Sequence, residues 1–165
     1  MATQTEPLEP VETCAPPVRI GNLSETLNGI RRAVTKRAYE IYQRHAGQPG
    51  RDREDWLLAK KDVLQPLGCC GILNSKDEAV ISVCSSALRM ADLAEVEVCV
   101  EGHRLIFVGR KQASDASLAG ETKFRVLDLA DEFDPSSVRI RQDGPLFEIT
   151  IHKLARKSAT DRRAA

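Results

Sequence analysis

The chain has 165 residues, in which 24 Lys plus Arg are balanced by 24 Asp plus Glu, so its formal net charge is zero. That balance excludes a polyelectrolyte tail and gives no overall attraction to nucleic acid. Hydrophobic residues make up 42% and charged residues 29%, the composition of a folded chain. Aromatics are only 4%, so the core must be mostly aliphatic. The length permits one ordinary domain or two small modules. The opening MATQTEPLEP has no basic start and no apolar stretch, so no secretory signal is expected. No apolar run approaches the ~20 residues that span a membrane. Five cysteines (Cys14, Cys69, Cys70, Cys84 and Cys99) are an odd number without a framework spacing. They read as reduced thiols in a cytoplasmic protein.

Residues 1–20 hold four of the eight prolines (Pro7, Pro10, Pro16 and Pro17). Proline removes a backbone donor and fixes φ, and nothing here is periodic, so a flexible leader is expected. Residues 21–67 read as an α-helical hairpin. Leu27, Ile30, Val34, Ala38 and Ile41 recur at steps of three and four, which aligns them on one helical face. Ser24 or Thr26 can cap the start, Gly47 can end the helix, and Gln48-Pro49-Gly50 supplies a turn. Asp52 can cap a second helix, with Glu54 and Asp55 in the first turn, where the helix dipole favours acids. Trp56, Leu57, Ala59, Val63 and Leu64 form its apolar side, and Pro66 and Gly68 stop it. Tyr39, Tyr42 and Trp56 are expected to pack together as the hairpin core. Residues 68–75 read as a linker.

From about Lys76 the period changes to two. Val80 to Cys84 is one strand-like run, and Glu95 to Glu101 alternates strictly, with valines on one face and Glu or Cys on the other. Gly102-His103 is a tight turn into Arg104 to Gly109. Phe124 to Leu129 is another strand, Asp134-Pro135 turns the chain, and Val138 to Arg141 leads through Asp143-Gly144 into Leu146 to Ile151. Asp-Gly signals a reversal because glycine accepts positive φ freely. Several short strands with turn signals and no long helix between them predict an antiparallel β-sandwich over residues 76–155, followed by a flexible tail at 156–165. The fold class is therefore mainly β with α: an immunoglobulin-like antiparallel sandwich preceded by an α-helical hairpin.

The stretches VISVCSSALRMADLAEVEVCVEGHRLIFVGR, FRVLDLADEFDPSSV and DGPLFEITIHK resemble the α-crystallin domain of small heat-shock proteins. The likeness lies in the acidic-Leu pair Asp92-Leu93, the turn at Gly102, the strand end at Gly109 and the Gly144-Pro145-Leu146 element. The resemblance implies an ATP-independent chaperone that holds non-native proteins as a homodimer or small oligomer. It implies that Arg125 lies at a dimer interface, where arginine can pair with a carboxylate across a two-fold axis. It also implies that Val96, Val98, Val100, Val138 and Ile140 line a groove for client or tail segments, although their alternation fits plain core as well. The tail LARKSATDRRAA lacks an Ile-x-Ile element, and the loop from Lys111 to Lys123 is short for the bacterial type, so large cages are not expected. The hairpin, with Ala38-Tyr39, Gly47 to Gly50 and Asp55-Trp56-Leu57, resembles a short bacterial domain of unknown function.

Nothing in the sequence points to catalysis. There is no GxSxG, no HExxH and no phosphate-cradling glycine loop, so no enzyme, cofactor or metal is expected. Glu95, Glu97 and Glu101 read as a solvated edge that discourages aggregation. Cys69-Cys70 can be incidental thiols, a strained adjacent disulfide or a redox sensor; zinc would need a second spaced pair. Arg31, Arg32, Lys36, Arg37 and Arg44 make the hairpin basic, yet interspersed acids make an ordinary solvated face the expectation rather than a nucleic-acid site. The expected partners are other proteins. A non-chaperone interaction adaptor on the same sandwich, or a nucleic-acid-associated regulator using the hairpin, are the alternatives.

Overall fold

In the computed structural model, residues 15–89, 93–111 and 121–155 are described. Strand β1 (Val18–Ile20) leads into helices α1 (Leu23–Arg44) and α2 (Asp52–Val63). The strands β2 (Leu64–Pro66), β3 (Cys70–Asn74), β4 (Glu78–Cys84), β5 (Leu93–Glu101), β6 (Arg104–Lys111), β7 (Thr122–Asp128), β8 (Arg139–Asp143) and β9 (Leu146–His152) follow. They form two sheets, ordered β1-β5-β6-β7-β2 and β3-β4-β9-β8.

The layering follows from alternation. In β4, Ala79, Ile81 and Val83 are buried and the residues between them are less so. Val96, Val98 and Val100 of β5, Leu105 and Phe107 of β6, and Phe147, Ile149 and Ile151 of β9 meet them in one core. With a period of two, each strand offers one face to this layer. The rings of Phe107 and Phe147 lie 6.3 Å apart across it. The reversals fall where glycine takes positive φ, at Gly102 (60°) and Gly144 (56°).

The outer face of the five-stranded sheet is also apolar. Cys99, Ile106, Val108 and Phe124 are buried there beneath Leu23, Ile30 and Ala33 of α1, Val63 of α2 and Leu64. The helical hairpin is thus a third layer. Gly29 of α1 faces the Phe124 ring, where a Cβ would stand at an ordinary contact distance of 3.5 Å. Thr26 is buried, with its hydroxyl 3.2 Å from Cys99 Sγ.

Several expectations change in detail. Asn22, rather than Ser24 or Thr26, caps α1: its Oδ1 accepts the N–H groups of Ser24 and Glu25 at 3.0 and 3.3 Å. Asp52 is the first residue of α2, and Arg51 stands in the cap position without a side-chain cap bond. The helix–helix core is Val34, Ile41 and Ala59, not Tyr39, Tyr42 and Trp56. The small Ala59 brings the helices together, and the large rings are left at the flanks. Tyr39 is 61% and Trp56 41% exposed, while Tyr39 and Tyr42 stack on each other at 6.5 Å. Arg37 ties the helices with 2.9 Å from Nε to Asp62, and bonds Glu40 at 3.1 Å. Residues 68–75 are not a plain linker, because Cys70–Asn74 pair with β4. The last part of the presumed leader is strand β1; its first 14 residues and the tail lie outside the described residues.

The two-sided core predicts a steep penalty for a cavity. Phe147→Ala should destabilise the chain by about 3–5 kcal/mol, read as a lowered urea midpoint with an unchanged slope.

Candidate interaction surface

A sheet meets other chains at its borders, so the candidate surface is built from the strand edges. In the five-stranded sheet the centre is β5-β6-β7, and both of its borders are covered by short parallel strands. β1 runs along β5 in the register Val18↔Val96, Arg19↔Glu97, Ile20↔Val98. β2 runs along β7, with Gln65 opposite Arg125.

β1 lies against the gap between β5 and β8, the place where the sequence suggested a groove. The Val96 N–H donates to the Pro17 carbonyl and the Gly21 N–H to the Val98 carbonyl, both at 2.9 Å. Gln142 of β8 clamps the segment from the other side: its Oε1 accepts the Val18 N–H at 3.1 Å and its Nε2 donates to the Pro16 carbonyl at 2.8 Å. Val18 packs against the sandwich core. Val96, Val98, Val100 and Val138 are buried in that core, and Ile140 is half-buried beside it. A segment of the chain's own leader thus occupies the β5 border alongside Val96 and Val98.

The acids of β5 divide by position. Glu101 is exposed, but Glu97 is only 6% exposed, so it is not part of a solvated edge. β1 covers it, and its carboxylate takes Arg19 on one oxygen and Arg110 on the other, the latter at 3.1 Å. Arg19 also reaches Glu95 at 3.3 Å. A buried carboxylate needs such partners, and these two arginines hold the strap to the sheet.

Arg125 points toward the inner layer, because its neighbours Phe124 and Val126 serve the outer face. It is 6% exposed and donates to the Phe124 carbonyl at 3.0 Å. Among the described residues no carboxylate lies within ion-pair distance of it. Burial lowers the preference of its guanidinium for charge, and Arg89 nearby adds to that.

The four-stranded sheet ends in β3 on one side and β8 on the other, and β3 is the apolar border of the two. Among the described residues it is hydrogen-bonded only to β4, and its Ile72 and Leu73 are 43% and 73% exposed. A second apolar surface lies on α2, where Trp56, Leu57 and Leu58 all face solvent. The sequence placed Trp56 and Leu57 on the packed side of α2, but that side runs through Asp55, Ala59 and Val63. The β3 edge was missed, although Gly71-Ile72-Leu73 after a proline-glycine break is strand-compatible. The basic residues of the hairpin are exposed apart from the half-buried Arg37.

Comparisons with known proteins add a likeness without a function. Residues 31–65 match a family of proteins of unknown function, DUF2934. Among curated proteins no sequence matches the chain. The solved structures it resembles are small heat-shock proteins. Heat shock protein 16.0 from Schizosaccharomyces pombe has a TM-score of 0.40 and 16% identity, covering 61% of this chain and 76% of that one. The hspA of Xanthomonas axonopodis has a TM-score of 0.38 and 18% identity, over 54% and 95%. A small heat-shock protein from Xylella fastidiosa has 0.37 and 21%, over 61% and 96%. Scores of this size carry no argument by themselves; the sandwich is established by its own strand order and register.

The strap is testable at Gly21, where a Cβ would meet Cys99 Sγ at 2.8 Å and Glu97 Cβ at 3.0 Å. Gly21→Val should lift β1 from β5. Amide exchange at Val96, whose N–H bonds Pro17, should rise by roughly tenfold or more, as expected when a local opening costs about 1.4 kcal/mol less. Exchange at Val108, in the sheet centre, should not change.

Proposed function

We propose that the chain is an ATP-independent holdase of the small heat-shock type, binding non-native polypeptides through apolar surface and an open strand edge. The observation that carries the reading is β3, a five-residue border strand with two exposed large aliphatic side chains. A partly unfolded client offers extended apolar segments. Such a segment can add to a free edge through backbone hydrogen bonds while its side chains bury apolar area. Trp56, Leu57 and Leu58 give a second surface of the same character. Capture of this kind is reversible and needs no nucleotide.

A homodimer fits the same picture. Arg125, without an acid of its own chain among the described residues, is 6% exposed beside β2, so a carboxylate of a second copy would engage it only once β2 leaves the β7 border. One observation favours the adaptor reading as well: β1 already covers the β5 border, so the chain satisfies a binding edge by itself and leaves a narrower surface for a chosen partner.

Aggregation of a heat-denatured model client, followed by light scattering, separates these readings. The holdase reading expects suppression near equimolar protein. Leu73→Lys, which sets a charge on the open edge, should raise the concentration needed by roughly tenfold, equivalent to about 1.4 kcal/mol of binding, while the circular dichroism spectrum is kept. Absence of suppression at a large molar excess would overturn the holdase claim and leave the adaptor.

A further inference from the structure

β3 and β4 pair antiparallel from Asn74↔Ala79 to Cys70↔Val83. The ladder ends there; continued by one step, its register would set Cys69 opposite Cys84. The two segments stay adjacent past that step, though no longer in the same register: the Gly68 N–H donates at 3.3 Å to the Ala87 carbonyl, two residues beyond Ser85. The faces agree too. Val83 is buried in the sandwich, so its neighbour Cys84 turns to the outer face. Cys70 packs against the inner core, so Cys69 turns outward as well. Cys69 is exposed and Cys84 is half-exposed. Opposed residues of an antiparallel pair have Cα atoms ~4.5–5.5 Å apart, inside the ~4.4–6.8 Å that a disulfide bridges. The alternation that brings Cys69 to Cys84 directs Cys70 away from it.

We propose that Cys69 and Cys84 form an oxidisable dithiol, which a hydroperoxide converts to a disulfide joining the end of edge strand β3 to β4. Cys84 is suited to react first. The Ser86 hydroxyl donates to its Sγ at 3.1 Å, and this bond, with the Ser86 backbone N–H, holds the Cys84 thiol below its ordinary range. Burial, with Cys69 alongside, pushes Cys70 the other way. The Cys84 thiolate attacks one oxygen of hydrogen peroxide; an S–O bond forms, the O–O bond breaks, and the departing hydroxide takes up a proton as water. The Cys69 thiolate then attacks the sulfenic sulfur; an S–S bond forms, the S–O bond breaks, and a second hydroxide leaves as water on protonation. In sum, two thiols and one peroxide give a disulfide and two waters, with two electrons passing from sulfur to oxygen. The site is independent of the holdase reading, because its chemistry needs no client.

The test is peptide mapping of the full chain after treatment with hydrogen peroxide, with free thiols blocked by iodoacetamide in denaturant. Tryptic cleavage separates residues 62–76, with Cys69 and Cys70, from residues 77–89, with Cys84. The expected product is a link between these two peptides, lighter by two hydrogens, lost in Cys69→Ser and in Cys84→Ser and kept in Cys70→Ser. If a serine variant fails to fold, the wild-type digest decides the matter, since Cys70 should be alkylated while Cys69 and Cys84 are both protected. A link that disappears in Cys70→Ser, a disulfide inside peptide 62–76, a bridge to Cys14 or Cys99, or full alkylation of both cysteines would each overturn the assignment.

Discussion

The outer face of the β5-β6-β7 sheet sets the terms for the rest of the molecule. Leu105-Ile106-Phe107-Val108 is apolar at every position, so β6 must be covered on both sides. The inner side meets the second sheet. The outer side, with Ile106, Val108 and Phe124, meets the helical hairpin. At ~1.5–3 kcal/mol for each fully buried large side chain, leaving that face in water would forfeit a sum comparable to the net stability of a domain, ~5–15 kcal/mol. The hairpin is therefore part of the folding unit and not an appendage to a finished sandwich.

The same constraint decides which surfaces remain for partners. Once the hairpin is seated, the segments that enter and leave it lie along the sheet, and they pair there as β1 and β2. Two borders that a bare three-stranded core would present are consumed within the chain. Glu97 shows the electrostatic side of this arrangement: it would be a solvated acid on an open strand, but under β1 it becomes a buried one held by Arg19 and Arg110. The open borders pass to the other sheet, at β3 and β8, and of these β3 carries the exposed aliphatic side chains Ile72 and Leu73.

Much of the sandwich was legible in the sequence because a period of two is a local signal. Glu95 to Glu101 and Leu146 to Ile151 alternate, and Asp143-Gly144 marks a reversal between strands. The helices were equally legible from three- and four-residue spacing. What was hidden depends on distant partners. β1 and β2 are three residues each, too short for any period, and Pro16, Pro17 and Pro66 argue against strand on local grounds. They pair only because the hairpin brings them to a sheet border, where a missing N–H can be tolerated. Trp56 and Leu57 misled for the opposite reason: large apolar residues are usual core formers, yet Ala59 makes the closer contact and leaves them outside. The doubly apolar run of β6 was the one sequence signal that the outer face has a cover.

β1 lies at the β5 border and β2 at the β7 border of one sheet, so the hairpin is a clasp fastened at both ends across three strands. It cannot swing away on one hinge: release requires unzipping both fastenings and stripping the apolar face at once, which makes opening an all-or-none event. The bend at residues 46–50 stands at the far end from both fastenings. Added sequence there would lengthen the clasp's tip without loosening its grip, which makes that bend the natural place for a graft.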